Sequence, residues 1–89
     1  MFQRRYQVTA PEGLHARPAA QLVQVWARCP FAVSLTRIDK TVNAKSILQV
    51  LSLGAQRGDQ LVVTYDTDDW VQVASCENDL EGFIDIIPG

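Results

Sequence analysis

Gly13-Leu14-His15-Ala16-Arg17-Pro18-Ala19 is the stretch of this chain that most constrains its fold and its chemistry, and it contains the only histidine. The run Ala10-Pro11-Glu12-Gly13 interrupts the preceding strand pattern, and a helical pattern covers residues 16–28. His15 therefore stands at the mouth of a predicted helix. Unpaired N–H groups and the positive end of the helix dipole favour an anion such as phosphate there.

His15 and its neighbours suggest a nucleophile with an anion site beside it. An imidazole can form a covalent intermediate, and the backbone N–H groups of Ala16 and Arg17 would meet a phosphoryl group on its ring. The guanidinium of Arg17 adds a planar fork of donors for phosphate oxygens. On spacing alone, a solvated or capping histidine and a solvated surface arginine remain open as alternatives.

Length and composition indicate one folded domain over residues 1–89, because 47% of the residues are hydrophobic and no apolar run could span a bilayer. The N-terminus lacks the apolar segment of a signal peptide, so we expect a cytoplasmic protein without membrane insertion. Cys29 and Cys76 have neither disulfide-framework nor metal-ligand spacing. We expect two reduced, structural cysteines, with no metal and no cofactor.

Charge is distributed unevenly along the chain. Residues 1–58 hold all eight basic residues and two acidic ones, a net charge of +6, whereas residues 59–89 hold eight acidic residues and no basic one, a net charge of −8. A basic neighbourhood around His15 suits a phosphate donor or an acidic protein partner. A sequence pI near 5.1 argues against nucleic-acid binding. The alternative that the charge asymmetry reflects surface composition alone, with no role in binding, stays open.

Hydrophobic periodicity predicts the order β-α-β-β-α-β-α, an α+β domain with three helices on one face of a four-stranded antiparallel sheet. Ser46 is a natural N-cap for a short helix over residues 47–53, which Gly54 closes. The run Asp66-Thr67-Asp68-Asp69 caps a last helix. The predicted strands cover residues 2–9, 31–36, 41–43 and 61–65, and the apolar stripe of the last helix runs through Trp70, Val73, Ala74, Leu80 and Phe83.

Two further stretches accompany the first: Val42-Asn43-Ala44-Lys45-Ser46-Ile47-Leu48, and Leu51-Ser52-Leu53-Gly54 followed by Gly58-Asp59. In this order and spacing the three resemble the HPr family, the histidine phosphocarriers of the bacterial phosphoenolpyruvate:sugar phosphotransferase system. The resemblance extends over the whole chain in length and element order. It implies an open-faced β-sandwich with strand order 1-4-2-3.

The resemblance also implies roles for individual residues. His15 would be phosphorylated on Nδ1 by phospho-Enzyme I and would pass the phosphoryl group to sugar-specific IIA domains, with Arg17 stabilising the phosphate. Ser46 matches a position that a regulatory kinase, the HPr kinase/phosphorylase, phosphorylates in many Gram-positive bacteria. The residues matching the family's docking surface are Ile47, Leu48 and Leu51.

Some positions depart from the family's pattern. Gln49 stands where many members have glycine, and Ile38 is atypical in its turn, which puts partner choice in question more than chemistry. One of the three docking residues should be core, and we expect Leu48 to be partly exposed. Trp26 and Trp70 fit helix stripes and are expected in the core or at its edge.

Alternative functions follow from the same residues. A regulatory HPr-like protein would act through Ser46 and a catabolite-control transcription factor, but such relatives replace the histidine, which is intact here. A metabolite-binding module would need concavity that an open sheet does not offer. We therefore expect a monomeric phosphocarrier, which is not an enzyme in the strict sense because its histidine is both acceptor and donor.

Overall fold

A five-stranded antiparallel sheet carries three helices in this protein, for which the computed structural model describes residues 1–88. The order is β-α-β-β-α-β-α-β, and the first seven elements appear in the predicted order. In chain order they are β1 (Phe2–Val8), α1 (Ala16–Ala27), β2 (Val33–Arg37), β3 (Lys40–Asn43), α2 (Ile47–Ser52), β4 (Gln60–Tyr65), α3 (Trp70–Asn78) and β5 (Ile84–Ile86).

The sheet runs β3-β2-β4-β1-β5. Its inner part keeps the expected order 1-4-2-3, because β4 pairs with both β1 and β2, from Phe2↔Tyr65 on one side to Val33↔Tyr65 on the other. The expectation of four strands is wrong. A fifth strand, β5, pairs with β1 through Val8↔Ile84 and Tyr6↔Ile86. Three residues are too few for a clear alternating pattern, which is why β5 escaped prediction.

The last helix is shorter than its apolar stripe suggested. α3 ends at Asn78, so Leu80 and Phe83 lie in the turn that leads to β5, although Leu80 is fully buried and Phe83 packs against the core. The predicted helix was too long because Leu80 and Phe83 are apolar core residues that lie outside the helix. Asp69 caps α3 as predicted, accepting hydrogen bonds from the backbone N–H groups of Val71 and Gln72.

The core lies between the helices and one face of the sheet. Ala19, Leu22, Val25 and Trp26 of α1 are buried, and Val23 is partly buried against the core. Trp26 donates its indole N–H to the Tyr65 hydroxyl at 3.3 Å. The large side chains that are fully buried are Trp26, Tyr6, Tyr65, Leu22, Leu35, Leu61, Leu80, Ile84, Val8, Val50, Val63 and Val73.

A buried carboxylate links α3 to β1. Glu77 accepts a hydrogen bond from the Tyr6 hydroxyl at 2.9 Å and forms an ion pair with Arg4 Nε at 2.9 Å. Burial raises the pKa of the Tyr6 hydroxyl far above its usual value, and Tyr65 and Glu77 beside it act in the same direction. Trp70, expected at the core or its edge, lies at the exposed edge, where Phe2 and the guanidinium of Arg4 pack against it.

Ion pairs join the basic and acidic halves of the chain. Arg28 pairs with Asp79 at 2.8 Å, and Arg37 pairs with Asp59 at 2.9 Å, in addition to the Arg4–Glu77 pair. A backbone N–H from Gln56 and then Arg37 hold the pKa of the Asp59 carboxyl below its usual value. The charge asymmetry along the sequence is thus partly neutralised in space. Among residues 1–88 no helix has the length and apolarity to span a membrane.

Candidate functional site

The loop before α1 is fixed by a close backbone approach. Gly13 has φ +76°, and a Cβ added there would lie 2.7 Å from the carbonyl oxygen of Ala55 and 2.9 Å from Cα of Gln56. Leu14 is buried, and its N–H donates to the Ala55 carbonyl at 2.9 Å. The segment after α2 therefore holds the residue before His15 in place, and only glycine fits at position 13 without displacement.

His15 is the N-cap residue of α1, with extended backbone angles (φ −81°, ψ −171°), but its side chain makes no capping hydrogen bond. The imidazole is 49% exposed, and its Nε2 lies 3.8 Å from a carboxylate oxygen of Glu12. A neighbouring carboxylate favours a proton on the facing ring nitrogen. A proton on Nε2, the nitrogen that faces Glu12, would leave Nδ1 with a free lone pair. The sequence alone did not indicate that Glu12 would lie beside the His15 imidazole.

The first turn of α1 offers donors that nothing in the described part of the chain occupies. The first helical bond joins the Ala19 N–H to the His15 carbonyl at 3.0 Å, and Pro18 has no N–H. The N–H groups of Ala16 and Arg17 are therefore free, as at any helix N-terminus without a cap. No acidic residue occupies this first turn. An anion at this position would meet two donors and the positive end of the helix dipole.

Arg17 is exposed and enters no ion pair within residues 1–88. Its guanidinium is therefore free to reach a phosphate beside His15, whereas Arg4, Arg28 and Arg37 are held by carboxylates. The predicted site residues are the N-cap of α1, His15, and its first two helical residues, Ala16 and Arg17.

An apolar rim surrounds His15. Pro11, Pro18 and Phe83 line a shallow depression of about 230 Å³ beside the imidazole, together with Ala10, Glu12 and Gly82. Phe83 comes from the turn before β5, so no local motif could have placed it here. A depression this open suits the flat surface of a protein partner better than an enclosed metabolite.

Helix α2 forms a second surface, and α2 packs beside α1. Ser46 caps it as predicted, since its hydroxyl oxygen accepts the Gln49 N–H at 3.4 Å. Ile47 is 37% exposed and Leu48 is 77% exposed, while Leu51 is half-buried against the core.

At least one of Ile47, Leu48 and Leu51 was expected in the core, but none of the three is fully buried. Val50 is the fully buried residue of α2, and Leu51 packs against the core while partly exposed. Gln49, which departs from the family's pattern, is exposed. Its side-chain oxygen accepts the Asn43 N–H at 2.8 Å, which folds it back onto β3.

Metal binding finds no support among residues 1–88, where no three His, Cys, Asp or Glu side chains are grouped to hold an ion. The groups that the site itself supplies are the His15 imidazole, the Arg17 guanidinium and the backbone donors of Ala16 and Arg17.

Comparisons with known proteins bear on the chemistry of this site. Residues 2–77 match the profile of a family described as "PTS HPr component phosphorylation site". A phosphocarrier protein HPr from Buchnera aphidicola subsp. Acyrthosiphon pisum is 38% identical over 69 residues, which cover 78% of this chain and 81% of that protein.

Solved structures with the same fold include HPr-C-His from Thermoanaerobacter tengcongensis, with a TM-score of 0.80, 32% identity and 90% of each chain covered. A crystal structure described as an HPr dimer from the same organism matches with a TM-score of 0.65 and 37% identity, over 76% of this chain and 78% of that one. The monomeric state expected from the sequence therefore stays a prediction.

Proposed function

Because the chain belongs to the HPr family of phosphocarriers of the phosphotransferase system, we propose that it accepts a phosphoryl group on Nδ1 of His15 from phospho-Enzyme I and delivers it to sugar-specific IIA domains. One observation carries the proposal. His15 is an exposed helix N-cap whose side chain caps nothing, and it adjoins the free N–H groups of Ala16 and Arg17.

The proposed transfer step uses the groups around His15. The lone pair of Nδ1 attacks phosphorus, an N–P bond forms, and the bond from phosphorus to the donor breaks with its electron pair leaving on the donor. The proton on Nε2 stays in place beside Glu12. The three phosphoryl oxygens then meet the two backbone donors and the Arg17 guanidinium, which stabilise negative charge without rearrangement. Delivery to an acceptor is the same step in reverse.

Protein partners would dock around this site. Hydrophobic surface comes from the exposed Pro11 and the partly buried Phe83 beside His15, and from the side chains of Ile47, Leu48 and Leu51 on α2. Partners with acidic margins would be attracted to Arg17.

Ser46 is proposed as a regulatory position rather than a catalytic one. A phosphate at the start of α2 would be tolerated by the fold, because negative charge is favourable at a helix N-terminus. The same charge beside Ile47 and Leu48 would repel an acidic partner, so docking would weaken while the helix remained. An HPr kinase/phosphorylase would add this phosphate, and a catabolite-control transcription factor would recognise the modified protein.

The test is incubation with phosphoenolpyruvate and Enzyme I. We expect an acid-labile phosphate on His15, no label on His15→Ala, and full labelling of the matched Ser46→Ala variant. Arg17→Ala should stay folded and label more slowly. Labelling of His15→Ala at the wild-type rate would contradict the proposal, as would an acid-stable product.

A further inference from the structure

Two cysteines that are 47 positions apart in the sequence meet in the fold. Cys29 follows the C-terminal end of α1, and Cys76 lies in the last part of α3. Their Sγ atoms lie 2.8 Å apart, and both are free thiols. A disulfide needs an S–S distance of about 2.05 Å, so bond formation requires a movement of less than about 1 Å.

The surroundings hold the two sulfur atoms in register. Arg28, next to Cys29, pairs with Asp79, three residues after Cys76, at 2.8 Å. The Lys45 ammonium donates to the carbonyl of Cys29 at 2.7 Å. The Arg28–Asp79 pair joins the same two segments as the thiols and opposes their separation, while the Lys45 contact fixes the backbone of Cys29.

One of the two thiols is accessible to a small oxidant. Cys29 is buried, whereas Cys76 is half-buried. Both line a surface cavity of about 320 Å³, whose other walls are Arg28, Pro30, Phe31, Gln72, Ser75 and Asp79. A molecule the size of a hydroperoxide can therefore reach Cys76 first, with Cys29 directly behind it.

We propose that Cys29 and Cys76 form a reversible intramolecular disulfide, a redox modification site at the junction of α1 and α3 that is separate from His15. The thiolate of Cys76 attacks an oxygen of a hydroperoxide. The O–O bond breaks, leaving a sulfenic acid on Cys76 and an alcohol. The Cys29 sulfur then attacks the sulfenyl sulfur and water leaves. In total two thiols and one hydroperoxide give one disulfide, one alcohol and one water, and a dithiol reductant reverses the change.

At neutral pH the Cys29 and Cys76 thiols react slowly with an oxidant. Burial raises the pKa of the Cys76 thiol to about 12, and Cys29 beside it and Asp79 act in the same direction while Arg28 opposes them. Because the thiolate is the reacting form, a brief pulse of oxidant would leave the pair reduced. Sustained exposure would oxidise it, since the resolving thiol is already in contact.

The modification leaves the phosphorylation site intact. His15 precedes the first residue of α1 and Cys29 follows its end, so a helix of 12 residues, about 18 Å, separates them. We therefore expect the oxidised protein to accept a phosphoryl group on His15 as the reduced protein does. This inference assumes the proposed carrier function only for that expectation. Disulfide formation is measured by mass and the carrier function by labelling of His15, so failure of one is distinguished from failure of the other.

The experiment exposes the full chain to hydrogen peroxide for hours, blocks remaining thiols with iodoacetamide and measures the intact mass and the proteolytic peptides without reduction. We expect a mass loss of about 2 Da, a Cys29–Cys76 cross-linked peptide, and full reversal by a phosphine or dithiol reductant. The matched variants Cys29→Ser and Cys76→Ser should show no such loss. They should give a sulfinic acid or a two-chain disulfide instead.

A second measurement keeps the test independent of how the variants fold. The oxidised wild-type protein should melt at least about 10 °C above the reduced one, because the cross-link closes a long loop of the unfolded chain. A wild-type product dominated by sulfinic acid on Cys76, a disulfide between two chains, or a lower melting temperature after oxidation would each overturn the proposal.

Discussion

Replacing Gly13 by alanine tests whether the backbone approach at the loop before His15 governs both stability and phosphoryl transfer. Two costs act on the variant. Alanine at φ +76° occupies the left-handed region, and its Cβ would lie 2.7 Å from the Ala55 carbonyl oxygen and 2.9 Å from Cα of Gln56. Both contacts are with backbone, which cannot rotate away as a flexible side chain would.

The magnitude can be estimated term by term. The left-handed conformation costs alanine about 1–2 kcal/mol, and the more restricted unfolded chain returns about 0.4–1 kcal/mol. Relieving the overlap adds about 1–3 kcal/mol, and stretching the Leu14 N–H bond to Ala55 adds about 1 kcal/mol. We expect Gly13→Ala to lower the free energy of unfolding by about 3 kcal/mol.

Gly54→Ala is the matched control. Gly54 has φ +60°, but a Cβ added there meets nothing within 4 Å. It shares the left-handed cost without the overlap, so the loss should be about 0.5–1 kcal/mol. Thermal unfolding followed by circular dichroism should therefore separate the two variants by at least about 8 °C.

Phosphoryl transfer provides the second readout. Movement of Leu14 would displace His15 from the N–H groups of Ala16 and Arg17, so Gly13→Ala should also label more slowly with Enzyme I than Gly54→Ala when both are folded. Melting temperatures within about 2 °C of each other, or equal labelling rates, would refute the conclusion that the Ala55 segment fixes the site.

Further predictions concern three separate residues. Ile38, a β-branched residue at φ 59° and 83% exposed, is strained, so Ile38→Asn should raise the free energy of unfolding by about 1 kcal/mol in urea titrations; an unchanged or lower midpoint would contradict this. Glu12→Gln removes the carboxylate 3.8 Å from His15 Nε2, so nitrogen NMR of the imidazole should show a smaller Nε2–H fraction and labelling should slow about two- to threefold; an unchanged tautomer ratio would remove Glu12 from the site. Because burial and Cys29 raise the pKa of Cys76 to about 12, its thiolate is scarce below that pH, and its alkylation rate in reduced protein should rise about tenfold per pH unit from pH 7 to 9.5. Levelling near pH 9 would indicate an ordinary thiol.

The backbone geometry around His15 was predictable from sequence because its parts are adjacent in the chain. The helix that begins after His15, the Ser46 cap and the Gly54 stop are local features, and local side chains and backbone angles determine them. The resemblance supplied the order of the inner strands, which periodicity alone does not specify.

The remaining features depend on contacts between distant residues. The Cys29–Cys76 contact, the burial of Glu77 against Tyr6 and the position of Phe83 beside His15 each join segments far apart in the chain. Spacing rules describe one element at a time, so they carry no information on which distant side chains meet. The same reason explains why Val50 rather than one of its neighbours took the core position of α2.

The position of β4 has a consequence for synthesis on the ribosome. β1 and β2 do not pair with each other, because β4 lies between them and pairs with both. Before β4 has been made, the strand pairing open to residues 1–58 is the short β2–β3 hairpin, which is marginal in water on its own. The first 58 residues, with a net charge of +6, therefore cannot complete the sheet before the acidic segment that follows them has been made. Assembly of the sheet is thus a late event in synthesis, because β1 and β2 are joined only through β4.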